Sequence, residues 1–203
     1  MDKPIHVGVY NTWADWEAGY ALAHLGSGDW QADGLRYRIV LVGASSAPIH
    51  TKAGIKLTPD MVLSDLRPDD SAMLILPGAD TWLTGDNAAF LDMARDFLDA
   101  GVPVAAICGA TVGLARCGLL NDRSHTSNAP QLLECDAYAG AGKYRQESAV
   151  TDGDLITASG LAPVEFAREI FLRLGFYPRS TVENWYLMFG KKDPTGYFGL
   201  IKG

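Results

Sequence analysis

The chain has 203 residues, of which 48% are hydrophobic and 20% are charged, with a formal net charge of −7 at pH 7. This is the balance of a globular protein with one well-buried core, so we expect a single domain over residues 1–203. The acidic charge and the lack of a basic cluster exclude nucleic acid as a main partner. No apolar run reaches the ~20 residues of a membrane-spanning helix.

The three cysteines, Cys108, Cys117 and Cys135, are odd in number and irregular in spacing. They indicate neither a disulfide framework nor a Cys-x-x-Cys metal site, and no dinucleotide motif is present, so we expect no metal and no cofactor. The N-terminal residues lead directly into a predicted strand without the apolar region of a signal peptide. We therefore expect a cytoplasmic protein with free thiols.

Strand-like and helix-like segments alternate along the chain. In chain order they are a strand (Ile5–Tyr10), a helix (Asp15–Leu25), a strand (Tyr37–Val42), a hairpin (His50–Leu57), a strand (Met73–Leu76), a helix (Asn87–Ala100), a strand-to-helix unit (Val102–Arg116), a short helix (Ala129–Cys135), a strand (Leu155–Ala158) and a helix (Pro163–Leu174). This alternation predicts a mainly parallel sheet covered on both faces, a three-layer α/β sandwich. Ligands of such sheets bind at the carboxyl ends of the strands.

The strand-to-helix unit contains the strongest functional signal of the chain. An apolar strand runs into Cys108, the small residues Gly109 and Ala110 follow, and a helical pattern begins. A cysteine at such a turn lies at the N-terminus of the helix, which favours the nucleophilic thiolate. The same geometry, a nucleophile elbow, carries the nucleophile of elbow-type hydrolases. The alternative is a buried structural thiol; we predict a functional thiolate, and we predict that Cys117, inside the helix, and Cys135 are structural.

Two other residues are candidates for the chemistry. Gly78 follows a predicted strand, where its N–H is placed either to stabilise an oxyanion or only to form a turn. Glu17 lies early in the first predicted helix among aromatic residues, whose burial of the carboxyl raises its pKa and suits an acid and base. A carboxylate early in a helix is also an ordinary partner of the helix dipole.

His125 is the histidine that follows Cys108 most closely along the chain. We consider it as a catalytic base, with a surface or hydrogen-bonded core histidine as the alternative.

The segment AAICGATVGLARCGLL, residues 105–120, resembles the nucleophile elbow of the ThiJ/PfpI superfamily. Three further segments resemble that superfamily in the same order: Asp15–Glu17, Leu76–Gly78 and Leu155–Gly160, and Gly54–Asp60 is similar to its hairpin exit. The resemblance implies the class I glutamine amidotransferase-like fold, a flavodoxin-like α/β sandwich with the elbow at the carboxyl edge of the sheet.

The resemblance also implies roles for particular residues. Cys108 becomes the reactive thiol, Glu17 its protonated partner, and the backbone N–H groups of Gly78 and Gly109 the oxyanion site. The histidine of hydratase-like relatives corresponds to Asn128, which we include among the catalytic candidates. His125 lies three residues earlier, and in an extended segment this odd spacing points it to the opposite face.

Two departures from the superfamily pattern restrict the activity. Peptidase-like members carry histidine directly after the cysteine, where this chain has Gly109, which argues against a peptidase. A glutamine amidotransferase needs a late histidine, and no histidine follows His125, so that activity is rejected.

Three functions remain as hypotheses. In the first, the Cys108 thiolate adds to a small electrophile of the α-oxoaldehyde or isocyanide type, and Glu17 moves the proton. In the second, the protein is a non-catalytic oxidative-stress sensor that uses oxidation of Cys108. In the third, Asn128 disables the chemistry and the protein is a scaffold.

The segment Ser180–Phe189 is more apolar than a loose terminus. It is either a helix that docks on the core of its own chain or a segment that packs against a partner subunit. Members of the superfamily are commonly dimers, so we predict a homodimer, which light scattering at micromolar concentration tests.

Overall fold

A computed structural model describes residues 3–31 and 34–201. Its strands are β1 (Ile5–Gly8), β2 (Ile39–Gly43), β3 (Ile49–His50), β4 (Lys56–Leu57), β5 (Met61–Val62), β6 (Met73–Leu76), β7 (Val104–Ile107), β8 (Ala149–Asp152) and β9 (Leu155–Ala158). Seven of them form one sheet in the order β5-β2-β1-β6-β7-β9-β8, and β3 and β4 form the predicted antiparallel hairpin. Within the large sheet every pair is parallel except β8 with β9.

Helices cover the sheet on both faces. They are α1 (Gly19–Ser27), α2 (Thr81–Thr84), α3 (Ala88–Asp99), α4 (Gly109–Arg116), α5 (Pro163–Leu174), α6 (Arg179–Phe189) and α7 (Thr195–Leu200). α1, α5, α6 and α7 pack in one group, and α2, α3 and α4 pack in the other. The predicted three-layer, flavodoxin-like α/β sandwich is confirmed. Among the described residues no helix is both long and apolar enough to span a membrane.

The apolar pattern of the sequence explains why these elements form. β6, with the sequence MLIL, is buried along its whole length because helices cover both of its faces. α3 buries Phe90, Ala94, Phe97 and Leu98, which recur at helical spacing on one face. Burial of each large apolar side chain there contributes about 1.5–3 kcal/mol to stability.

The first helix begins later than predicted. Residues 15–18 form a turn, and α1 begins at Gly19 after Ala18, which has no side chain to cap the helix. The carboxylate of Asp15 instead accepts a hydrogen bond of 2.9 Å from the N–H of Ala53 in the hairpin. The prediction that Glu17 lies on this helix is therefore wrong: Glu17 belongs to the turn before it.

Other predicted boundaries also differ from the structure. The helix predicted over residues 129–135 is only a 3-10 helix, Pro130–Leu133, because Glu134 returns to an extended conformation. α4 ends at Arg116, so Cys117 caps its C-terminus rather than lying inside it. The sequence analysis missed the short edge strands β5 and β8 and the short helices α2 and α7, whose apolar patterns are too brief to be distinctive.

The apolar C-terminal segment forms α6, which docks on the core of its own chain. Trp185 is 0% and Val182 is 1% exposed. This packing accounts for the apolar composition without a partner subunit, so the homodimer stays a prediction that rests on the family resemblance.

Three buried histidines give the fold a predicted sensitivity to acid. His6, His24 and His125 are at most 8% exposed, and burial lowers the pKa of each from its usual 6.5. As the pH falls below about 6.5, the unfolded chain takes up protons before the folded chain does, so stability decreases. We expect the free energy of unfolding, measured with urea between pH 7.5 and 5, to fall with a slope of up to about 1.4 kcal/mol per pH unit per histidine.

His24→Phe provides the matched test of this acid sensitivity. The Nδ1 atom of His24 is buried without a hydrogen-bond partner, and the ring packs against Trp30, Trp185 and Phe189. A phenyl ring suits these surroundings, so we expect this variant to reduce the slope by about a third, whereas replacing the exposed His50 with asparagine leaves it unchanged. If the slope in His24→Phe is as steep as in the wild type, His24 does not contribute to the acid sensitivity.

The strand order of the sheet shows at which edge a ligand is expected to bind. The chain proceeds from β1 outward through β2 to β5, and then from β6 outward in the other direction through β7 and β9. The carboxyl ends of β1 and β6 therefore flank the topological switch point, where open α/β sheets bind their ligands. The elbow cysteine follows β7, the next strand along.

Candidate active site

Cys108 forms a strained elbow between β7 and α4. Its backbone has φ 58° and ψ −123°, a conformation with positive φ that side chains other than glycine rarely adopt. The N–H of Cys108 donates a 3.0 Å hydrogen bond to the carbonyl of Ala158 at the end of β9, which holds the residue in place. The predicted nucleophile elbow at the carboxyl edge of the sheet is confirmed.

Close packing explains why glycine follows the cysteine. A Cβ atom on Gly109 would lie 3.0 Å from the carbonyl oxygen of Ala79 and 3.3 Å from Cβ of Trp82. A side chain at this position requires Ala79 or the buried Trp82 to shift by a few tenths of an ångström. The N–H of Gly109 is directed to the sulfur of Cys108. This elbow therefore offers a backbone donor and no side-chain base.

Glu17 lies beside the cysteine although 91 positions of sequence separate them. The Glu17 side chain is 1% exposed, and its carboxyl lies beside the thiol of Cys108, since a Cβ atom on Gly160 would meet both Sγ and Oε1. Its Oε2 atom accepts a 2.5 Å hydrogen bond from the N–H of Gly78. The turn after β1 and the turn after β6 thus bring the acid to the nucleophile.

The structure gives the N–H of Gly78 a different partner from the predicted one. We expected this group to stabilise an oxyanion, but it donates to Glu17. Its observed role is to orient the carboxyl: with Oε2 held by Gly78, Oε1 is the atom left to face the sulfur. Of the two predicted oxyanion donors, Gly109 is the one whose N–H faces Cys108.

Two glycines make the space in which Glu17 and Cys108 meet. A Cβ atom on Gly78 would lie 2.6 Å from Oε2 of Glu17 and 2.8 Å from Cβ of Cys108. A Cβ atom on Gly160 would lie 2.8 Å from Sγ of Cys108 and 3.1 Å from Oε1 of Glu17. Real Cβ atoms do not approach this closely, so both positions require glycine. The sequence analysis assigned no role to Gly160.

The electrostatics of the pair differ from the expectation based on the helix alone. Burial and the neighbouring Glu17 charge raise the pKa of the Cys108 thiol above its usual 9.0, despite the hydrogen bonds from Asn128 and Gly109. Burial also raises the pKa of Glu17 above its usual 4.5. The predicted effect of the helix N-terminus is therefore outweighed. Two acids this close share one proton, because both cannot be ionised together at neutral pH.

Asn128 supplies a hydrogen-bond donor to the sulfur. Its Oδ1 atom accepts a 2.7 Å hydrogen bond from the N–H of Gly160 and one of 3.3 Å from the hydroxyl of Ser159. The amide orientation is thereby fixed, and Nδ2 faces Sγ of Cys108 at 3.2 Å. Asn128 stabilises a thiolate but carries no proton that it can transfer at neutral pH.

His125 is not part of the site, which corrects its inclusion among the catalytic candidates. The side chain is 0% exposed; Nδ1 bonds to the carbonyl of Arg123 at 2.7 Å and Nε2 to the hydroxyl of Tyr138 at 2.8 Å. Because side chains alternate along an extended segment, a ring three residues before Asn128 faces the other way. The spacing argument that placed His125 on the opposite face is confirmed.

The other two cysteines lie outside the site. Cys117 is half-buried, its thiol donates to the carbonyl of Leu114 at 3.3 Å, and burial raises its pKa. Cys135 is exposed in a loop rather than at the end of a helix. Among the described residues, no three side chains of histidine, cysteine, aspartate or glutamate are grouped to hold a metal ion.

The pair opens into a cleft of about 190 Å³. The cleft also contains Lys52, from the β3–β4 hairpin, whose Nζ lies 2.8 Å from Oδ1 of Asp80. The hydrogen bond to Asp80, together with the charges of Asp80, Cys108 and Glu17, raises the pKa of Lys52. The sequence analysis did not identify Lys52, because nothing near it in sequence indicates that the hairpin folds over the elbow.

Replacing Asn128 with aspartate tests the donor role. One carboxylate oxygen still accepts from Gly160, and the other places a negative charge about 3 Å from the sulfur, which raises the pKa of Cys108 further. We expect alkylation of Cys108 by iodoacetamide at pH 7.5, followed by mass spectrometry, to slow by about tenfold or more. Gln131→Glu is the control, since it adds the same charge at an exposed position outside the cleft. If Cys108 is alkylated at an unchanged or higher rate in Asn128→Asp, Asn128 does not act as a donor that stabilises the thiolate.

A mainly parallel α/β sheet with a cysteine at the elbow after a central strand and a buried glutamate beside it defines the class of proteins to which this chain is similar. The chain belongs to the DJ-1/PfpI family, whose family model matches residues 3–172. The resemblance found in the sequence is thereby confirmed.

Similarity to individual proteins extends over nearly the whole chain. A Bacillus subtilis (strain 168) protein named "Uncharacterized protease YoaZ" is 37% identical over 202 residues, 98% of this chain and 96% of that protein. A crystal structure of a thiJ/pfpI family protein from Bacillus anthracis is 36% identical, with a TM-score of 0.94 over 98% of this chain and 96% of that chain. The DJ-1 superfamily protein Atu0886 from Agrobacterium tumefaciens is 32% identical, with a TM-score of 0.83 over 94% of this chain and 100% of that chain.

Proposed function

We propose that this protein is a cysteine-dependent, cofactor-independent enzyme that adds water to a small electrophile of the α-oxoaldehyde or isocyanide type. The observation that carries the proposal is the buried carboxyl of Glu17 beside the thiol of Cys108 in an open cleft. A nucleophile, a group that moves its proton and a fixed backbone donor are together the requirements of covalent catalysis.

The first step joins the sulfur to the substrate. The proton of the pair resides on Glu17 when the thiolate attacks, and a C–S bond forms at the electrophilic carbon. For an aldehyde, the electron pair of the C=O bond moves to oxygen, which takes the proton of Glu17, and the product is a hemithioacetal. For an isocyanide, the terminal carbon takes that proton, and the product is a thioimidate. The N–H groups of Gly109 and Asn128 stabilise the negative charge before and during attack.

The second stage releases the product with water as co-reactant. In the oxoaldehyde adduct, the Glu17 carboxylate removes the proton on the sulfur-bearing carbon and returns it to the neighbouring carbon, while the hydroxyl proton moves to the oxygen of the former ketone, which leaves a thioester of a 2-hydroxy acid. Water attacks the thioester or the thioimidate, and Glu17 accepts a proton from it. The C–S bond breaks with its electron pair on sulfur, giving a 2-hydroxy acid or a formamide and restoring the pair.

The geometry argues against a peptidase. A cysteine peptidase needs a histidine or equivalent base that protonates the leaving amine. The position after the cysteine is Gly109, which carries no base and is tightly packed against Ala79 and Trp82, and His125 faces away from the cleft. The Bacillus subtilis relative has the word "protease" in its name, and that word is a statement about the relative, not about this chain.

Steady turnover with two matched variants tests the proposal. We expect wild-type protein to convert methylglyoxal or an alkyl isocyanide, Cys108→Ser to lose turnover by about a thousandfold or more, and Cys135→Ser to retain it, because Cys135 is exposed and outside the cleft. No turnover, together with stoichiometric oxidation of Cys108 at low peroxide, supports the sensor instead. Slow alkylation of Cys108 together with no turnover supports the third hypothesis, a scaffold protein.

A further inference from the structure

The cleft above Cys108 exposes mainly apolar surface. Six of its twelve lining side chains other than glycine are apolar, and they come from four separate parts of the chain. These apolar residues are Ala14, Trp16, Ala79, Leu83, Val112 and Leu132. Hydroxylated or charged parts of a ligand that pack against these six side chains would lose their hydration without gaining partners from them.

The mouth of the cleft is also apolar. Trp16 is 51%, Leu83 is 58% and Leu132 is 50% exposed, and all three line the same opening. A single exposed apolar side chain is ordinary, but three around one nucleophile form a surface that favours an apolar ligand.

The charges in the cleft disfavour an anionic ligand. Of the described residues that line it, Lys52 is the one cation, and Asp80 neutralises it at 2.8 Å. Glu17 and Cys108 share one proton and therefore carry one negative charge between them. A carboxylate or phosphate on the substrate would meet this charge and find no free cation.

We propose that the substrate is an uncharged electrophile with a compact apolar substituent, which packs against Leu83, Leu132 and Trp16 while its reactive carbon meets Cys108. This inference rests on the proposed function and names its substrate class. The cleft of about 190 Å³ has the volume of about six water molecules, so the reactive group and a few carbon atoms fill it.

A matched series of alkylating agents tests the preference without requiring turnover. The probes are 2-chloroacetamides with an N-propyl, an N-(2-hydroxyethyl) or an N-carboxymethyl group. In each, the Cys108 thiolate forms a C–S bond to the methylene carbon, and chloride leaves with the electron pair of the C–Cl bond. Exposed Cys135 of the same molecule reports the intrinsic reactivity of each probe. Peptide mass spectrometry gives the ratio of the two rates.

We expect the Cys108-to-Cys135 ratio to be about fourfold higher for propyl than for hydroxyethyl, the effect of burying one additional apolar group. The ratio for carboxymethyl is lower again by about tenfold. Leu132→Ser removes at least half of the propyl preference, and Leu161→Ser, at a 93% exposed position outside this cleft, leaves it unchanged. Equal ratios, a preference for the anion, or an equal response in Leu161→Ser overturns the inference.

The two proposals fail in different ways. If Cys108 prefers the propyl probe but no α-oxoaldehyde or isocyanide is turned over, the proposed function is wrong and the apolar preference of the cleft stands. If the enzyme turns over glyoxylate faster than an uncharged alkyl glyoxal, the proposed function stands and the inference is overturned.

Discussion

Replacing Glu17 with glutamine is expected to make Cys108 more reactive toward alkylating agents while abolishing turnover. The N–H of Gly78 holds one side-chain oxygen at position 17, so the amide oxygen of glutamine occupies that place and its NH₂ group faces the sulfur. The substitution removes the negative charge that raises the pKa of Cys108 and adds a donor to the thiolate. It also removes the group that moves the proton.

The two consequences are measured separately. Alkylation of Cys108 by iodoacetamide at pH 7.5 is expected to increase by up to about tenfold, which corresponds to a decrease of about one unit in the pKa of the thiol. Turnover is expected to fall by about a hundredfold or more, the usual contribution of an acid and base. Glu183→Gln is the control, because Glu183 is an exposed carboxylate on α6, away from the cleft.

A parallel loss of alkylation and turnover in Glu17→Gln would mean that Glu17 mainly supports the structure of the elbow. Retained turnover would show that another group moves the proton. Either result rejects the assigned role.

Replacing Gly160 with alanine is expected to inactivate the enzyme without unfolding it. The new Cβ would lie 2.8 Å from Sγ and 2.9 Å from Cβ of Cys108, so the cysteine must shift and its geometry relative to Glu17 changes. A displacement of about 1 Å at the reacting atom is enough to reduce turnover by about a hundredfold. Gly160 has no positive φ that would itself penalise alanine.

Gly142→Ala is the matched control for Gly160→Ala. A Cβ at Gly142 meets nothing within 4 Å, and its backbone does not have a positive φ. We expect this control to retain wild-type turnover and both variants to melt cooperatively by circular dichroism. Wild-type turnover in Gly160→Ala would show that the tight contact with Cys108 is not needed for catalysis.

The sequence predicted the elements whose patterns are long or sharply bounded. β6, β9 and α5 have the predicted bounds, because proline or glycine lies within two residues of the end of each. The position of Cys108 at the elbow and the orientation of His125 away from it followed from local geometry. Local rules suffice where neighbours in sequence determine the conformation.

The rest depends on contacts between distant segments. Gly160 and Lys52 reach the cleft through β9 and the β3–β4 hairpin, and no local pattern marks either residue as part of a site. The pKa of Cys108 was expected to be lowered by its helix, whereas burial and Glu17 raise it. α1 begins late because Asp15 binds the hairpin instead of capping the helix.

The most direct test of the central claim is to trap the covalent intermediate on Cys108. Wild-type protein is mixed with methylglyoxal or an alkyl isocyanide, quenched with acid during turnover and digested for peptide mass spectrometry. The account predicts the mass of the substrate on the peptide that contains Cys108, at an occupancy that follows turnover and vanishes in Cys108→Ser. Turnover that persists in Cys108→Ser, or that proceeds with no adduct on Cys108, would contradict it.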